Sequence, residues 1–183
     1  MDAETALADK ISDGRKARGW SLAELADRSG VSRSMLSKIE RQEASPTATV
    51  LLKIAGAFSV TLAELLTEPA GAKARHLRLA DQPTWVDPAS GYARRQVFLS
   101  PVMPLELVEV ELPAGASVAA PATSYALIRQ VLWVLGGAVT VQEGAQKCQL
   151  RRGDRLEFGP PSDVIFRNES DAPCRYLVAV VRN

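Results

Sequence analysis

Histidine and cysteine are nearly absent from this chain. Its 183 residues include one histidine, His76, and two cysteines, Cys148 and Cys174. One histidine excludes any site that needs two histidine ligands from one chain, and it excludes most catalytic triads. Two cysteines far apart do not form a disulfide scaffold, so we expect a reducing compartment, the cytoplasm. Both thiols are interpreted as small hydrophobic side chains rather than as redox sensors.

The sequence also lacks long apolar segments and an excess of one charge. No stretch approaches the ~20 apolar residues that a membrane helix requires, and the N-terminal residues are too acidic and polar for a secretory signal. The formal net charge is +1, and hydrophobic residues make up 46% of the chain. These values are ordinary for a globular protein and do not indicate a partner. The composition therefore predicts a soluble protein that does not enter a membrane.

Hydrophobic periodicity changes near residue 68. Before this point apolar residues recur at helical spacing, whereas after it proline and glycine separate short β-rich runs such as LELVEVEL and CRYLVAVV. The stretch between, TEPAGAKARHLR, is small, polar and basic, which is typical of a linker. The sequence predicts an α+β chain of two domains, with an all-α domain at 1–67, a linker at 68–80 and an all-β domain at 81–183.

The segment LAELADRSGVSRSMLSKIE has the spacing of a helix-turn-helix. Ser21 and Glu24 form a capping box at the start of one helix, and Gly30 fits the left-handed position after its end. A further helix at 32–41 follows a very short turn. Its apolar residues Leu36 and Ile39 point into a core shared with the preceding helix, which is the geometry of a helix-turn-helix.

Polar and basic side chains remain outside this core and form one face. They can donate to base edges and phosphates, and a helix N-terminus favours a phosphate. A solvated basic face on a plain helical hairpin is the alternative, but the core spacing favours DNA binding. Because 1–67 carries nine acidic and nine basic residues, binding must depend on local charge and on dimerisation. The candidate DNA-binding residues are Ser21, Ser32, Arg33, Ser34, Ser37, Lys38 and Arg41.

Residues 7–66 resemble the Xre-type, λ-repressor-like helix-turn-helix domain of phage repressors and bacterial regulators. The matching segment is WSLAELADRSGVSRSMLSKIERQEASPTATVLLKIAGAFSVTLAELL. The resemblance implies five helices, with 32–41 as the recognition helix and Ser21 at the start of the helix that crosses the DNA backbone. It further implies a palindromic double-stranded operator that is bound by a homodimer.

The β half resembles a cupin, a double-stranded β-helix or jelly-roll barrel. PAGASVAAPATSYALIRQVLWVLGGAVTV resembles the first cupin motif, and GDRLEFGPPSDVIFRN resembles the second. At or beside the positions where metal-binding cupins carry histidine or glutamate, this chain has Thr123, Tyr125, Gln130 and Val164. A hydroxyl, a phenol, an amide and an isopropyl group do not form a stable divalent site. We therefore expect neither a metal nor another cofactor.

Strand alternation predicts an apolar cavity in this barrel that contains a phenol and an amide and suits a small organic effector. One alternative is a barrel that is filled by its own side chains and serves only for dimerisation. A second is a metal-free enzyme with the layout of fosfomycin epoxidase, which joins a helical domain to a catalytic cupin. The absence of catalytic motifs favours a transcriptional regulator over an enzyme. The candidate pocket residues are Tyr125, Gln130, Leu132, Val164 and Phe166.

Overall fold

Helices form the first part of the chain and strands the rest. The computed structural model describes residues 3–66, 75–100 and 102–182. Of the predicted linker, residues 68–74 lie outside the described residues, and the remainder runs into a short 3-10 helix at Leu79–Asp81. No described helix combines the length and apolar character needed to cross a bilayer. The described α-helices are α1 (Ala3–Ala17), α2 (Leu22–Ser29), α3 (Arg33–Glu40), α4 (Ala48–Phe58) and α5 (Leu62–Leu66).

Local signals in the sequence set the ends of the central helices. The Ser21 hydroxyl accepts from the backbone N–H of Glu24 at 3.2 Å, and the Glu24 carboxylate accepts from the Ser21 N–H at 2.7 Å, so the predicted capping box starts α2. Gly30 follows α2 with a φ of 65°, and its N–H donates to the Ala26 carbonyl. Glycine adopts this left-handed conformation without strain. The turn is therefore short enough to place α3 directly across α2.

The helical domain has a packed apolar core. Leu25, Leu36 and Ile39 are at most 2% exposed, as their spacing predicted. Leu51 and Ile54 from α4 are fully buried in the same cluster. Burial of this much apolar surface is the main stabilising contribution to such a small domain. The packing fixes the orientation of α3 and leaves its other face exposed.

Two antiparallel sheets form the barrel. The larger sheet has the strand order β1-β2-β3-β10-β5-β8, and the smaller has the order β4-β9-β6-β7. Val108, Val110 and Leu112 alternate inward along β3 and pack between the sheets with Tyr176 of β10. The predicted jelly-roll architecture is confirmed. The strands are β1 (Thr84–Val86), β2 (Ala93–Leu99), β3 (Leu105–Leu112), β4 (Ser117–Ala120), β5 (Ile128–Gly136), β6 (Ala138–Glu143), β7 (Gln146–Arg151), β8 (Arg155–Glu157), β9 (Val164–Arg167) and β10 (Cys174–Arg182).

Helix α4 joins the two domains. Its first residue, Ala48, is fully buried in the core of the barrel, and Leu52, one turn later, packs against both cores. Gly56 lies so close to the 3-10 helix at Ala122–Tyr125 that an added Cβ would be 2.7 Å from the Thr123 hydroxyl. A larger side chain at this position would push the domains apart. The helical domain is therefore docked on the barrel along one side of α4.

Asn168 is the polar side chain that follows β9 in the second cupin-like motif. It is 1% exposed. Its amide nitrogen donates to the carbonyls of Leu112 at 3.0 Å and Ala172 at 2.7 Å. Its amide oxygen accepts from the backbone N–H of Ser170 at 3.1 Å and from the Ser170 hydroxyl at 2.6 Å. The motif therefore ends in an amide that connects neighbouring strands and loops.

Replacing Asn168 by alanine is expected to destabilise the barrel. The Asn168→Ala change removes the Asn168 donor from the buried Leu112 carbonyl and removes the oxygen that accepts from Ser170, while the Ala172 carbonyl keeps the Ser170 hydroxyl as a donor. We expect the free energy of unfolding in urea to fall by about 1–3 kcal/mol, the cost of one unsatisfied buried group. The exposed amide Gln149 on β7 provides the matched control, and Gln149→Ala should change stability by less than about 0.5 kcal/mol. Equal effects of the two changes would contradict the structural role of Asn168.

Candidate nucleic-acid interface and barrel cavity

The predicted DNA-binding side chains lie on one surface of the helical domain. α3 contributes most of them, and its N-terminal residues follow directly on Ser32, whose hydroxyl accepts from the backbone N–H of Met35. The Ser32 and Ser34 hydroxyls are 3.3 Å apart. Ser37 is half-buried, whereas the other candidates are exposed: Ser21, Ser32, Arg33, Ser34, Lys38 and Arg41.

An acidic residue that the sequence reasoning did not include changes the charge of this surface. Glu43 forms a two-point ion pair with Arg41 at 2.7 and 2.8 Å, and Arg41 also donates to the Ser37 hydroxyl at 2.7 Å. The hydrogen bonds from Arg41 hold the pKa of the Glu43 carboxyl below its usual range, and Lys38 contributes in the same direction. Arg41 and Ser37 are therefore already engaged within the protein.

Arg33 and Lys38 are the cations that remain available on α3. Both side chains are exposed. Within the described part of the chain, neither forms a side-chain hydrogen bond or an ion pair. An exposed guanidinium and ammonium on the outer face of a helix can contact guanine edges or phosphates. These two residues therefore carry most of the local positive charge that the surface can offer to DNA.

A cavity of about 70 Å³ lies at the mouth of the barrel. Three of the five residues predicted for a pocket line it, namely Tyr125, Gln130 and Phe166. The other two, Leu132 and Val164, are at most 1% exposed and belong to the packed core beneath. Packed side chains therefore fill the barrel at these two positions, and the cavity lies above them at its mouth.

Glu106 is a buried carboxylate in this cavity that the sequence reasoning missed. It is fully buried on β3, and its Oε1 accepts a hydrogen bond of 2.8 Å from the hydroxyl of Thr61 in the helical domain. Its Oε2 has no hydrogen-bond partner among the described residues. Burial raises the pKa of Glu106, while the Thr61 hydroxyl and the charge of Arg94 oppose that shift. The Arg182 Nε lies 4.0 Å from Glu106 Oε1 and favours the ionised form, but a buried carboxylate remains costly to ionise.

Strand register places Gln130 in the same row of the sheet as Glu106. Val180 of β10 pairs with Glu106 on one side and with Gln130 on the other, so their backbones are two strand spacings apart, about 10 Å. The buried Nε2 of Gln130 forms no hydrogen bond of standard geometry with a described residue. Burial raises the pKa of the nearby Tyr125 phenol, a side-chain contact with Gln130 opposes that shift, and the phenol stays protonated. The cavity thus presents a hydrogen-bond acceptor, Glu106 Oε2, on β3 and a hydrogen-bond donor, Gln130 Nε2, on β5.

The other potentially reactive groups of the barrel are not assembled into a site. The described residues contain no cluster of three or more His, Cys, Asp or Glu side chains that could hold a metal ion. Cys148 and Cys174 are both free thiols. Burial raises the pKa of Cys174 to about 11, which keeps it in the thiol form.

A helix-turn-helix domain followed by a cupin-type barrel defines the class of this protein. Residues 11–65 match the helix-turn-helix family model HTH_3. The HTH-type transcriptional regulator SutR of Escherichia coli (strain K12) is 28% identical over 167 residues, which are 88% of this chain and 86% of that protein. The chain therefore joins an Xre-type helix-turn-helix domain to a cupin-like domain.

Solved structures agree with this fold. An HTH_3 family transcriptional regulator from Vibrio cholerae superposes with a TM-score of 0.81 and 22% identity, covering 98% of this chain and 97% of that one. Hydroxypropylphosphonic acid epoxidase from S. wedmorenis superposes with a TM-score of 0.50 and 19% identity over 97% of both chains. Similarity at these identities shows the fold alone.

Replacing Glu106 by glutamine should remove a pH dependence of stability. The folded protein keeps Glu106 protonated to a higher pH than the unfolded chain does, because its pKa is raised above the ordinary 4.5. Stability therefore falls as pH rises above that value, and the loss is complete above the raised pKa. We expect Glu106→Gln to raise Tm at neutral pH relative to the wild type, and this difference to vanish at acidic pH. A difference independent of pH, measured by scanning calorimetry, would contradict this account.

Proposed function

We propose that this protein acts as a homodimer that binds a palindromic operator through α3 and responds to a small molecule bound by its barrel. Residues 1–67 would form the DNA-binding domain, 68–80 the linker and 81–183 the sensing domain. The observation that carries the proposal is the pair of exposed cations Arg33 and Lys38 on α3, neither of which forms a side-chain hydrogen bond or an ion pair with a described residue. As a DNA-binding regulator, the protein is expected to work in the cytoplasm.

Placement of charge supports recognition of DNA by α3. Since acidic and basic residues balance in the helical half, long-range attraction contributes little, and affinity must come from contacts at the interface. Arg33 begins α3 and Lys38 lies one and a half turns later, so the two can engage one strand or adjacent base pairs. The Arg41–Glu43 ion pair would hold Arg41 in place beside the DNA backbone. Ser21 and Ser34 offer hydroxyls at the edge of the same surface.

Two-fold symmetry of the operator would require two copies of this domain. Half-sites about 10 base pairs apart, or a multiple of that, fit two recognition helices on one side of the duplex. The barrel offers apolar side chains for such a contact: Trp133 on the outer face of β5 is 50% exposed, and Val181 on the adjacent β10 is 44% exposed. A strand-edge or sheet-face contact through these residues would set the spacing of the two helical domains.

We propose that the barrel binds a small molecule and does not hold a catalytic metal ion. The candidate metal positions hold Thr123, Tyr125, Gln130 and Val164, and Val164 is buried in the core. The cavity has apolar walls and a few polar groups, which is typical of small-molecule sites. An effector that binds there and a bound operator would change each other's affinity by the same factor. Stoichiometric iron, zinc or manganese in protein purified without chelator would contradict this role.

Removal of either free cation on α3 should weaken operator binding. Arg33→Ala removes a candidate base contact, and we expect a loss of about 1–3 kcal/mol, roughly tenfold to a hundredfold in Kd, together with relaxed sequence preference. Lys38→Ala should weaken binding to all sequences alike and lower the salt dependence by about one charge. A footprint on the DNA upstream of the protein's own gene would define the operator, and fluorescence anisotropy would then measure affinity.

A matched control separates these contacts from general charge. Arg152 is exposed in the turn between β7 and β8, far along the chain from α3, and Arg152→Ala removes the same charge. We expect operator affinity of this variant to stay within about twofold of the wild type. Gln130→Ala and Tyr125→Phe should likewise preserve DNA binding while they weaken the effector response. Loss of DNA binding in a folded barrel variant would contradict the proposed division of roles.

A further inference from the structure

The cavity at the barrel mouth is closed by the helical domain. Leu52 and Ala55 of α4, together with Val60, Thr61 and Leu62 at the start of α5, form one of its walls. Ser124 on the barrel side donates to the Leu52 carbonyl at 3.0 Å, so a hydrogen bond crosses the same boundary. A molecule in this space would therefore touch both domains at once.

Three polar groups in the cavity complement a molecule that carries both charges. Glu106 Oε2 is a buried acceptor without a hydrogen-bond partner among the described residues. Gln130 Nε2 is a buried donor whose one recorded side-chain contact is with the Tyr125 phenol. The Arg94 side chain lines the same cavity, where it contacts the Tyr92 phenol and attracts Glu106, but it forms no ion pair within 4.0 Å in the described part of the chain. A buried group without a partner costs free energy that a ligand can recover. An ammonium fits the first group, and a carboxylate fits the other two.

The size of the space limits the ligand to a small molecule. A cavity of about 70 Å³ is less than half of the roughly 150 Å³ that holds a benzene ring. It adjoins a cleft of about 150 Å³ on the domain boundary, which is lined by Val60, Thr61 and Ser124 as well as by Leu127. A polar head in the cavity and a short apolar body in the cleft would fill both.

The charges around the site balance. The charged residues that line the cavity and the cleft are Arg94, Glu106, Glu64 and Arg182, with Arg182 paired to Glu64 at 2.7 Å. A ligand without net charge preserves this balance, whereas a simple anion or cation leaves one buried charge unpaired. We infer that the effector is a small zwitterion of amino-acid size, bound at the domain boundary with its ammonium on Glu106 and its carboxylate on Arg94 and Gln130.

This inference rests on the proposed effector-binding role of the barrel and adds a route to the DNA-binding domain. The Thr61 hydroxyl accepts from the Glu64 N–H at 3.1 Å and donates to Glu106 at 2.8 Å, so the start of α5 is tied to the carboxylate that the ammonium would bind. An ammonium on Oε2 draws the charge of the Glu106 carboxylate towards itself and so weakens the hydrogen bond from Thr61 to Oε1, and the ligand body separates α5 from the barrel. The helical domain then changes its position relative to the barrel.

Thermal unfolding of the full-length protein tests the ligand class. The probes are glycine, L-alanine, L-valine and L-leucine, together with isovalerate, which lacks the ammonium of a branched amino acid, and isobutylamine, which lacks its carboxylate. We expect at least one amino acid to raise Tm by about 5 °C at roughly a hundredfold excess over Kd. The two single-charge probes should not raise it. Arg94→Gln and Glu106→Gln should each abolish the shift, while their own Tm values report folding.

Glu111→Gln is the matched control, because Glu111 is exposed on the same strand as Glu106. It should keep the full shift. Hydrogen exchange tests the route: the amino acid that binds should accelerate exchange of the amides at 62–66 in the wild type. Thr61→Ser, which keeps the hydroxyl, should behave like the wild type, whereas Thr61→Val should exchange faster even without ligand and respond less.

Each failure has a separate meaning. If isovalerate or isobutylamine raised Tm as much as the amino acids do, the inference of a zwitterionic effector would be overturned, and the site would bind an effector of other chemistry. A shift that survives both Arg94→Gln and Glu106→Gln would place the ligand elsewhere. No shift with any probe, beside a clear footprint on DNA, would overturn the inference and favour a barrel that serves only for dimerisation. Loss of the footprint itself would instead refute the proposed function.

Discussion

The hydrogen bond between Thr61 and Glu106 ties the helical half of this protein to the interior of the barrel. Its donor also caps α5, and its acceptor lies fully buried in the barrel. Each group therefore has two roles: Thr61 satisfies a helix end and a carboxylate, and Glu106 fixes a helix while it bears the cost of burial. α5 packs against α4, and α4 packs against α2 in the helix-turn-helix. A displacement of α5 at this contact would therefore shift the helices that carry the DNA-binding surface.

Local chemistry made the helical half predictable from sequence. The capping box at Ser21, the left-handed turn at Gly30 and the apolar spacing of Leu36 and Ile39 all act within a few residues, and the structure confirms each of them. The barrel was predictable as a class because alternation and turn residues repeat along it. The charge on α3 was harder to predict, because the pairing of Arg41 with Glu43 depends on how the chain leaves the helix.

The cavity could be predicted only in part, because its walls come from distant segments. Tyr125, Gln130 and Phe166 follow from the motif positions, but one wall of the cavity comes from α4 and the start of α5, which no periodicity links to the barrel. Glu106 was detectable: in LELVEVEL it shares the inward parity of Val108. Its contact with the helical domain was not detectable, because Thr61, which donates to Glu106, lies forty-five residues earlier in the chain.

The close approach of α4 to the barrel at Gly56 also shapes the folding of the chain. A barrel produced alone would expose the apolar surface that Ala48 and Leu52 cover, and its mouth would admit water to Glu106. The helical domain alone would expose the opposite side of the same surface. Two such halves belong to one cooperative unit, so the intact chain should melt in a single transition, and studies of ligand binding should start from the whole molecule rather than from a fragment.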